Sequence, residues 1–217
     1  MISTGLKKID NFLLGGIPDG IIVDIFGGNG SGKTQLLLQI LINCVKNGGN
    51  VLFLDTTGGF RPERILEIQK NSNFEINLLD QITVSRITNT SEQINSIKTF
   101  KEKNFSLIVI DNVTDLFSYE YKNNSSIFKK NSLFMKYMHD LSFYAIDHKI
   151  PIVVTNMIRN MDDKESEHMA NAIDLFTHIK IHLFKNSSEF HGEIYTPFNK
   201  ESFSYTITTS GVSSDDF

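Results

Sequence analysis

A chain of 217 residues is long enough for one domain with a full-sized core and too short for two ordinary ones. With 40% hydrophobic and 21% charged residues it falls outside the intrinsically disordered class. A net charge of −4, from 21 basic against 25 acidic side chains, excludes a surface that is basic all over, though a local basic patch stays open.

Short apolar runs alternate with helical patterns along the chain, the mark of a parallel sheet with crossover helices. Ile21 to Phe26 reads as a strand closed by Gly27 and Gly28. Lys33 to Asn47 reads as a helix with Leu36, Leu37, Ile40, Leu41 and Cys44 on one face, ended by Gly48-Gly49. Cys44, the single cysteine, permits no intramolecular disulfide, suits a reducing compartment and reads as a small core residue. Val51 to Asp55 is the next strand, followed by a helix entered at Pro62, a residue suited to a first helical position. Ile82 to Ile87 is strand-like, and Thr90-Ser91-Glu92-Gln93 reads as a capping box that starts a helix running to about Lys103.

Leu107 to Ile110 is continuously apolar and ends in Asp111, the pattern of a strand buried on both faces. A helix from about Asn131 to His148 leads into a strand over Ile152 to Thr155. Ile179, Ile181 and Leu183 alternate with His178, Lys180 and His182, a half-exposed strand whose histidines line its outer face. The remainder, through Tyr195, Phe203, Tyr205 and Ile207, reads as antiparallel strands at the sheet edge. No Gly/Pro/Ser-rich linker interrupts the chain, so residues 1–217 are expected to form a single α/β domain. No run reaches the ~18 apolar residues of a membrane span and no signal-peptide core follows Met1, so a cytoplasmic location without a membrane partner is expected.

The segment Gly27-Gly28-Asn29-Gly30-Ser31-Gly32-Lys33-Thr34 fits G-x-x-x-x-G-K-[ST] between a predicted strand and a predicted helix. Small residues there let successive backbone N–H groups turn inward around a phosphate, and the helix N-terminus adds partial positive charge. In such a loop Lys33 reaches the β- and γ-phosphates and the Thr34 hydroxyl sits on Mg²⁺. Asp111, at the end of its apolar strand, is the candidate second anchor of the metal shell; an apolar strand ending in Asp is common, and the phosphate loop gives this one its meaning. ATP and Mg²⁺ are the expected ligands.

Ile2-Ser3-Thr4-Gly5, Ile9-Asp10 and Leu14-Gly15-Gly16-Ile17-Pro18-Asp19-Gly20 lead into Phe26 and a phosphate loop ending Lys33-Thr34-Gln35. With Asp55-Thr56-Thr57-Gly58-Gly59-Phe60-Arg61-Pro62-Glu63-Arg64, then Val84-Ser85-Arg86, Asn89, Gln93 and Val154-Thr155-Asn156, these motifs closely resemble the ATPase core of the RecA/RadA recombinase superfamily. The archaeal RadA and RadB branch, with its D-T-E-G-x-F-R-P-E-R signature, is the nearest in pattern. The resemblance covers nearly the whole chain and implies a RecA-like P-loop core with a central, mostly parallel sheet. It also implies that Gln35 joins the nucleotide-binding loop and that Arg64 packs its guanidinium on adenine, a role the planar group suits. Arg61 and Arg64 are half of the four arginines in the chain.

The departures are as informative. Thr57 stands where the family carries the carboxylate that activates the attacking water. A positioned general base contributes about 10²–10⁴-fold to rate, so weak or absent ATP hydrolysis is expected. Asp55, two residues earlier, and Glu63, at the start of the following helix, are the possible substitutes. Met157 stands where the family usually has a γ-phosphate-sensing Gln. The upstream helical DNA-binding domain and aromatic polymerisation motif of RadA are not expected in a chain whose first residues already match the core, nor is autonomous filament formation.

The family contacts single-stranded DNA through two loops. Residues 118–136 carry Lys122, Lys129, Lys130 and Lys136 against Glu120, with Tyr119, Tyr121, Phe128 and Phe134 interleaved. Lysines there neutralise phosphates while aromatics stack bases, or the segment is a solvated lysine loop that buries its aromatics. Residues 159–168, with Asp162, Asp163, Glu165 and Glu167 against Arg159 and Lys164, carry the opposite sign. Weak, salt-sensitive DNA binding follows. The expected function is that of a RadB-like paralogue assisting homologous recombination and DNA repair, with a recombinase or another paralogue as protein partner. The alternatives are an active DNA-stimulated ATPase that uses Asp55 or Glu63, and a KaiC-like signalling ATPase that shares the opening I-S-T-G and G-G-I-P pattern; the F-R-P-E-R element argues against the latter.

Overall fold

The computed structural model describes residues 1–71, 77–102, 104–123, 126–161 and 164–214. Its first element, α1 (Lys7–Phe12), has no counterpart among the predicted elements. It hangs on a clasp built from the opening motif. Asp10 accepts hydrogen bonds from the Thr4 backbone N–H and hydroxyl, both at 2.8 Å, and from the Ser3 hydroxyl. Ile2 bridges Ile17 in antiparallel fashion, and a Cβ on Gly16 would lie 2.5 Å from the Ile2 carbonyl oxygen.

Six parallel strands form the body of the sheet: β1 (Ile22–Gly27), β2 (Val51–Asp55), β3 (Ile82–Arg86), β4 (Leu107–Asp111), β5 (Ile152–Met161) and β7 (Ile179–Asn186). Three more, β8 (Glu189–Tyr195), β9 (Lys200–Thr208) and β10 (Gly211–Ser213), extend one edge antiparallel, and β6 (Lys164–Glu167) folds back on the end of β5. The order β10-β9-β8-β7-β1-β5-β4-β2-β3 is that of the expected RecA-like α/β core, parallel in the middle with antiparallel strands at the C-terminal edge.

Alternate residues of the central strands feed two cores. Val23, Ile25, Phe53, Val109 and Val153 pack with α2 (Lys33–Lys46) and α3 (Pro62–Asn71) on one face. Ile22, Leu54, Ile108, Ile110 and Val154 pack with Phe134, Tyr137 and Leu141 of α6 (Ile127–His148) on the other. A strand covered on both faces must be apolar throughout, which is why Leu107–Ile110 and Val51–Leu54 read as unbroken runs. Connections of this kind leave the C-terminal ends of the parallel strands as an open crevice, the place where such sheets bind ligands.

Several boundaries differ from the sequence reading, each for a local reason. The cap before α4 (Thr90–Asn95) is Asn89, whose side chain accepts from the Glu92 N–H at 2.9 Å, and the Glu92 carboxylate reaches back to Thr88. Thr90 instead donates through its N–H and hydroxyl to Glu120, and the helix tightens into a 3-10 turn over Ser96–Glu102. The α6 helix starts at Ile127, four residues before the expected Asn131. β5 runs to Met161 because β6 pairs with its far end. Neither β6 nor the short helices α5 (Asp115–Glu120) and α7 (Ala170–Ile173) has enough periodic residues to be legible alone. Cys44 is buried as expected, and burial pushes its thiol up to about 11. No helix among the described residues is long and apolar enough to cross a membrane.

Gly27 shows how tightly the sheet meets the loop that follows. A Cβ there would lie 2.0 Å from the Leu183 carbonyl oxygen of the neighbouring β7. Gly27→Ala is expected to force β1 and β7 apart and to lower stability by about 1–3 kcal/mol, the range for overpacking. An unchanged urea midpoint would contradict that reading.

Candidate functional site

The loop Gly27–Gly32 joins β1 to α2, with left-handed backbone at Gly30 and Gly32 (φ 75° and 93°). At Gly32 space matters as well as φ, because a Cβ would meet Ile207 of β9 at 2.8 Å. The hydroxyl of Tyr205, also on β9, donates to the Ser31 carbonyl. The antiparallel edge therefore braces the loop from behind, a task that no sequence motif announces.

A cavity of about 360 Å³ opens above this loop. Its lining includes Asn29, Gly30, Gly32, Lys33, Thr34 and Gln35 from the loop and α2, Thr57 from the turn after β2, and Asp111 from β4. Lys33 Nζ donates to the Gly27 and Gly28 carbonyls at 2.9 and 2.8 Å, and burial lowers its pKa while Asp111 and Asp115 oppose that shift. The Thr34 hydroxyl donates to Asp111 Oδ2 at 2.9 Å, and Thr155 donates to Oδ1. Burial raises the Asp111 pKa, the two hydroxyls and Lys33 work against it, and neighbouring Asp55 adds to it. A hydroxyl beside a buried carboxylate is a hard-oxygen pair, the donor set of a Mg²⁺ that takes its remaining ligands from water and phosphate. Thr34 and Asp111 thus fit that ion.

Asp55 and Glu63, the possible substitute bases, do not line the cavity. Asp55 is 5% exposed and accepts the backbone N–H groups of Thr57, Gly58, Gly59 and Phe60, with Arg86 Nη1 at 3.4 Å from Oδ1. These hydrogen bonds, most of them to Oδ1, shape the turn that carries Thr57. Glu63 is exposed on the first turn of α3 and does not line the cavity. The Thr57 hydroxyl is itself turned into the loop, accepting from the Gly59 N–H at 3.2 Å.

Arg64 is anchored by groups from three elements. Its Nε donates to Gln35 Oε1 at 2.8 Å, and its terminal nitrogens reach Glu67 and the carbonyls of Thr208 and Thr209. The guanidinium ties α3 to α2 and to the β9–β10 turn, and does not line the cavity, whereas Gln35 does. Met157 lines the cavity opposite Gly27 in the β1–β5 register.

Beyond Asp111 runs a buried polar chain. Thr56 Oγ1 donates to the Asn112 carbonyl at 2.7 Å, Asn112 Oδ1 accepts from the Thr114 N–H, and the Thr114 hydroxyl reaches Asn156 Oδ1 at 2.7 Å. Asn156 Nδ2 then donates to Glu167 Oε1, and Glu167 pairs with Lys180, which also contacts Asp174 and lies 3.8 Å from fully buried Asp24. This corrects two sequence readings. Lys180 belongs to a half-buried ion cluster rather than to an open strand face, and Glu167, with a side chain only 5% exposed, adds no surface charge to residues 159–168. Asp162 and Asp163 of that segment lie outside the described residues. His182 stacks on Phe26 at 4.7 Å.

Of the DNA-contact candidates, Lys122 lies over the Tyr119 ring at 4.2 Å and Lys129 over Tyr121 at 5.9 Å. Tyr119 and Phe128 are 70% and 86% exposed, while Phe134 is wholly buried against Phe117 and leaves the set. Burial and Arg159 lower the Lys130 pKa. Sequence reasoning missed three lining residues, Asn112, Asp115 and Ile207. The signal for Asp115 was its place four residues after the strand-ending Asp111; Ile207 sits 173 positions past Thr34, beyond any local pattern.

A phosphate loop after the first strand, a carboxylate at the end of β4, one strand away across β5, and this strand order define a RecA-like P-loop core. The comparisons agree. A family model described as Rad51 matches residues 1–188, so the chain belongs to the Rad51 family within the RecA/RadA superfamily. It is 34% identical over 174 residues to the DNA repair and recombination protein RadA of Cenarchaeum symbiosum (strain A), a match covering 75% of this chain and 44% of that relative. The chain thus spans less than half the length of that RadA.

A histidine on the turn after β6 carries a pH signature. Ser118 Oγ lies 3.1 Å from His168 Nδ1, and burial, with Arg159 and Lys130 nearby, pushes the imidazole down to about 4. An unfolded histidine binds its proton near pH 6.5, so between about 6.5 and 4 the unfolded chain holds more protons. Stability present at neutral pH is therefore lost as pH falls through that window. His168→Gln should shrink the loss between pH 7 and pH 5 in urea unfolding. An equal loss in both proteins would contradict it.

Proposed function

We propose that this chain binds ATP with Mg²⁺ in the Gly27–Thr34 cavity and acts as a RadB-like accessory factor in homologous recombination and DNA repair, hydrolysing ATP weakly. The observation that supports this reading is that Lys33, Thr34 and Asp111 line one cavity with Thr57, the residue at the position where the resemblance puts the family's base. On nucleotide binding Lys33 exchanges the two loop carbonyls for phosphate oxygens. Thr34 and Asp111 would hold the Mg²⁺, which supplies charge to neutralise the polyphosphate. Thr57 does not take a proton at neutral pH, and its hydroxyl is held in the turn by Asp55 and Gly59. Nucleotide occupancy then works as a conformational signal, because a site that binds and hardly turns over stays in its bound state.

The Asn112–Thr114–Asn156–Glu167 chain gives that signal a route from Asp111 toward the β5–β6 hairpin. Lys122, Lys129 and Lys130 with Tyr119 and Tyr121 are the candidate single-stranded DNA contacts, weak and salt-sensitive because three lysines neutralise few phosphates. A recombinase or another paralogue is the proposed protein partner, and the cell interior the proposed location.

Thr57→Glu is expected to raise ATP turnover by about 10²–10⁴-fold, the usual contribution of a positioned base. In parallel, Lys33→Ala should weaken ATP binding at least tenfold with the fold intact. Wild-type turnover that is already rapid and gains nothing from Thr57→Glu would overturn the reading, as would a wild type that binds no ATP.

A further inference from the structure

Asp55 is spent on a turn and Glu63 lies outside the cavity, yet the cavity contains a carboxylate that neither motif nor resemblance assigns. Asp115, the first residue of α5, lines the same space as Lys33, Thr34, Thr57 and Asp111. We propose that Asp115 orients the water that attacks the γ-phosphate of bound ATP and takes its proton, so that the weak hydrolysis runs through this residue. The inference rests on the nucleotide reading above and names the group that serves its chemistry.

Availability is the first argument. Among the described residues Asp115 makes no hydrogen bond through its carboxylate and no ion pair within 4 Å, whereas both oxygens of Asp111 accept from threonines and Asp55 accepts from four backbone amides. A group that must receive a proton from water needs an unoccupied lone pair facing the reacting space. The second argument is charge. Asp111 repels Asp115, while Lys33 from the phosphate loop and Arg159 from β5 attract it, so it lies within electrostatic reach of the ammonium that meets the phosphates. The third is rigidity. Thr114, just before it, is fully buried and held through its N–H by Asn112 and through its hydroxyl by Asn156, and its carbonyl accepts from Ser118. The Asp115 backbone is thereby fixed relative to Asp111, the positional control that water activation demands.

The step balances with ATP and water alone. A water O–H bond breaks and its proton passes to the Asp115 carboxylate. The water oxygen forms a bond to the γ-phosphorus, the bond from that phosphorus to the β–γ bridging oxygen breaks, and ADP leaves with the electron pair. The carboxyl proton then passes to the released phosphate or to solvent.

The test uses single-turnover hydrolysis beside equilibrium ATP–Mg²⁺ binding for wild type, Asp115→Asn and Asp115→Asn with Thr57→Glu. The expected result is ATP affinity within twofold of wild type, hydrolysis at least tenfold slower in Asp115→Asn, and hydrolysis regained when Thr57→Glu supplies a second base. Unchanged hydrolysis in Asp115→Asn overturns the proposal. So does a parallel loss of ATP binding, which makes Asp115 a binding residue, and so does a double variant that binds ATP yet stays inert. Failure of the wild type to bind ATP is the separate result that removes the nucleotide reading itself.

Discussion

The Asp111 carboxylate, closed in between the hydroxyls of Thr34 and Thr155, is the interaction on which the site depends. It joins the first turn of the loop helix to the end of β4 across 77 residues of sequence and fastens β5 to both. A carboxylate buried this far is costly, and two hydroxyls with a nearby ammonium offset only part of that cost. What remains is a demand for positive charge, which a hard divalent cation meets.

Around that pair the fold divides its labour. The doubly covered parallel strands set the positions of Gly27, Asp55, Asp111 and Asn156 at a common edge. The antiparallel strands beyond β7 brace the phosphate loop through Tyr205 and Ile207, and hold Arg64 through the Thr208 and Thr209 carbonyls. Asp55 and Arg86 shape the turn that presents Thr57.

Much of this was legible in the sequence because it is local. The strand–loop–helix register of Gly27–Thr34, the unbroken apolar run ending in Asp111 and the alternation of Ile179, Ile181 and Leu183 each follow from period and spacing alone. What was not legible depends on contacts made far along the chain. Arg64 turns to Gln35 and to carbonyls near residue 208, Lys180 gathers Asp24, Glu167 and Asp174, and Phe134 buries itself against Phe117. The capping box slipped by one residue because Asn89 and Thr90 are both good N-terminal residues, and Glu120, brought in by the fold, claims Thr90. Asp115 was overlooked because a carboxylate opening a short helix resembles any helix-terminal acid until the cavity is seen.

The most direct test of the central claim is the fate of bound nucleotide. Wild-type protein loaded with labelled ATP and Mg²⁺ is chased with excess unlabelled ATP, and the released label is identified as ATP or ADP. A site that holds its nucleotide and hardly hydrolyses it releases mostly intact ATP. Release of mostly ADP, at a rate set by product departure, would contradict the account.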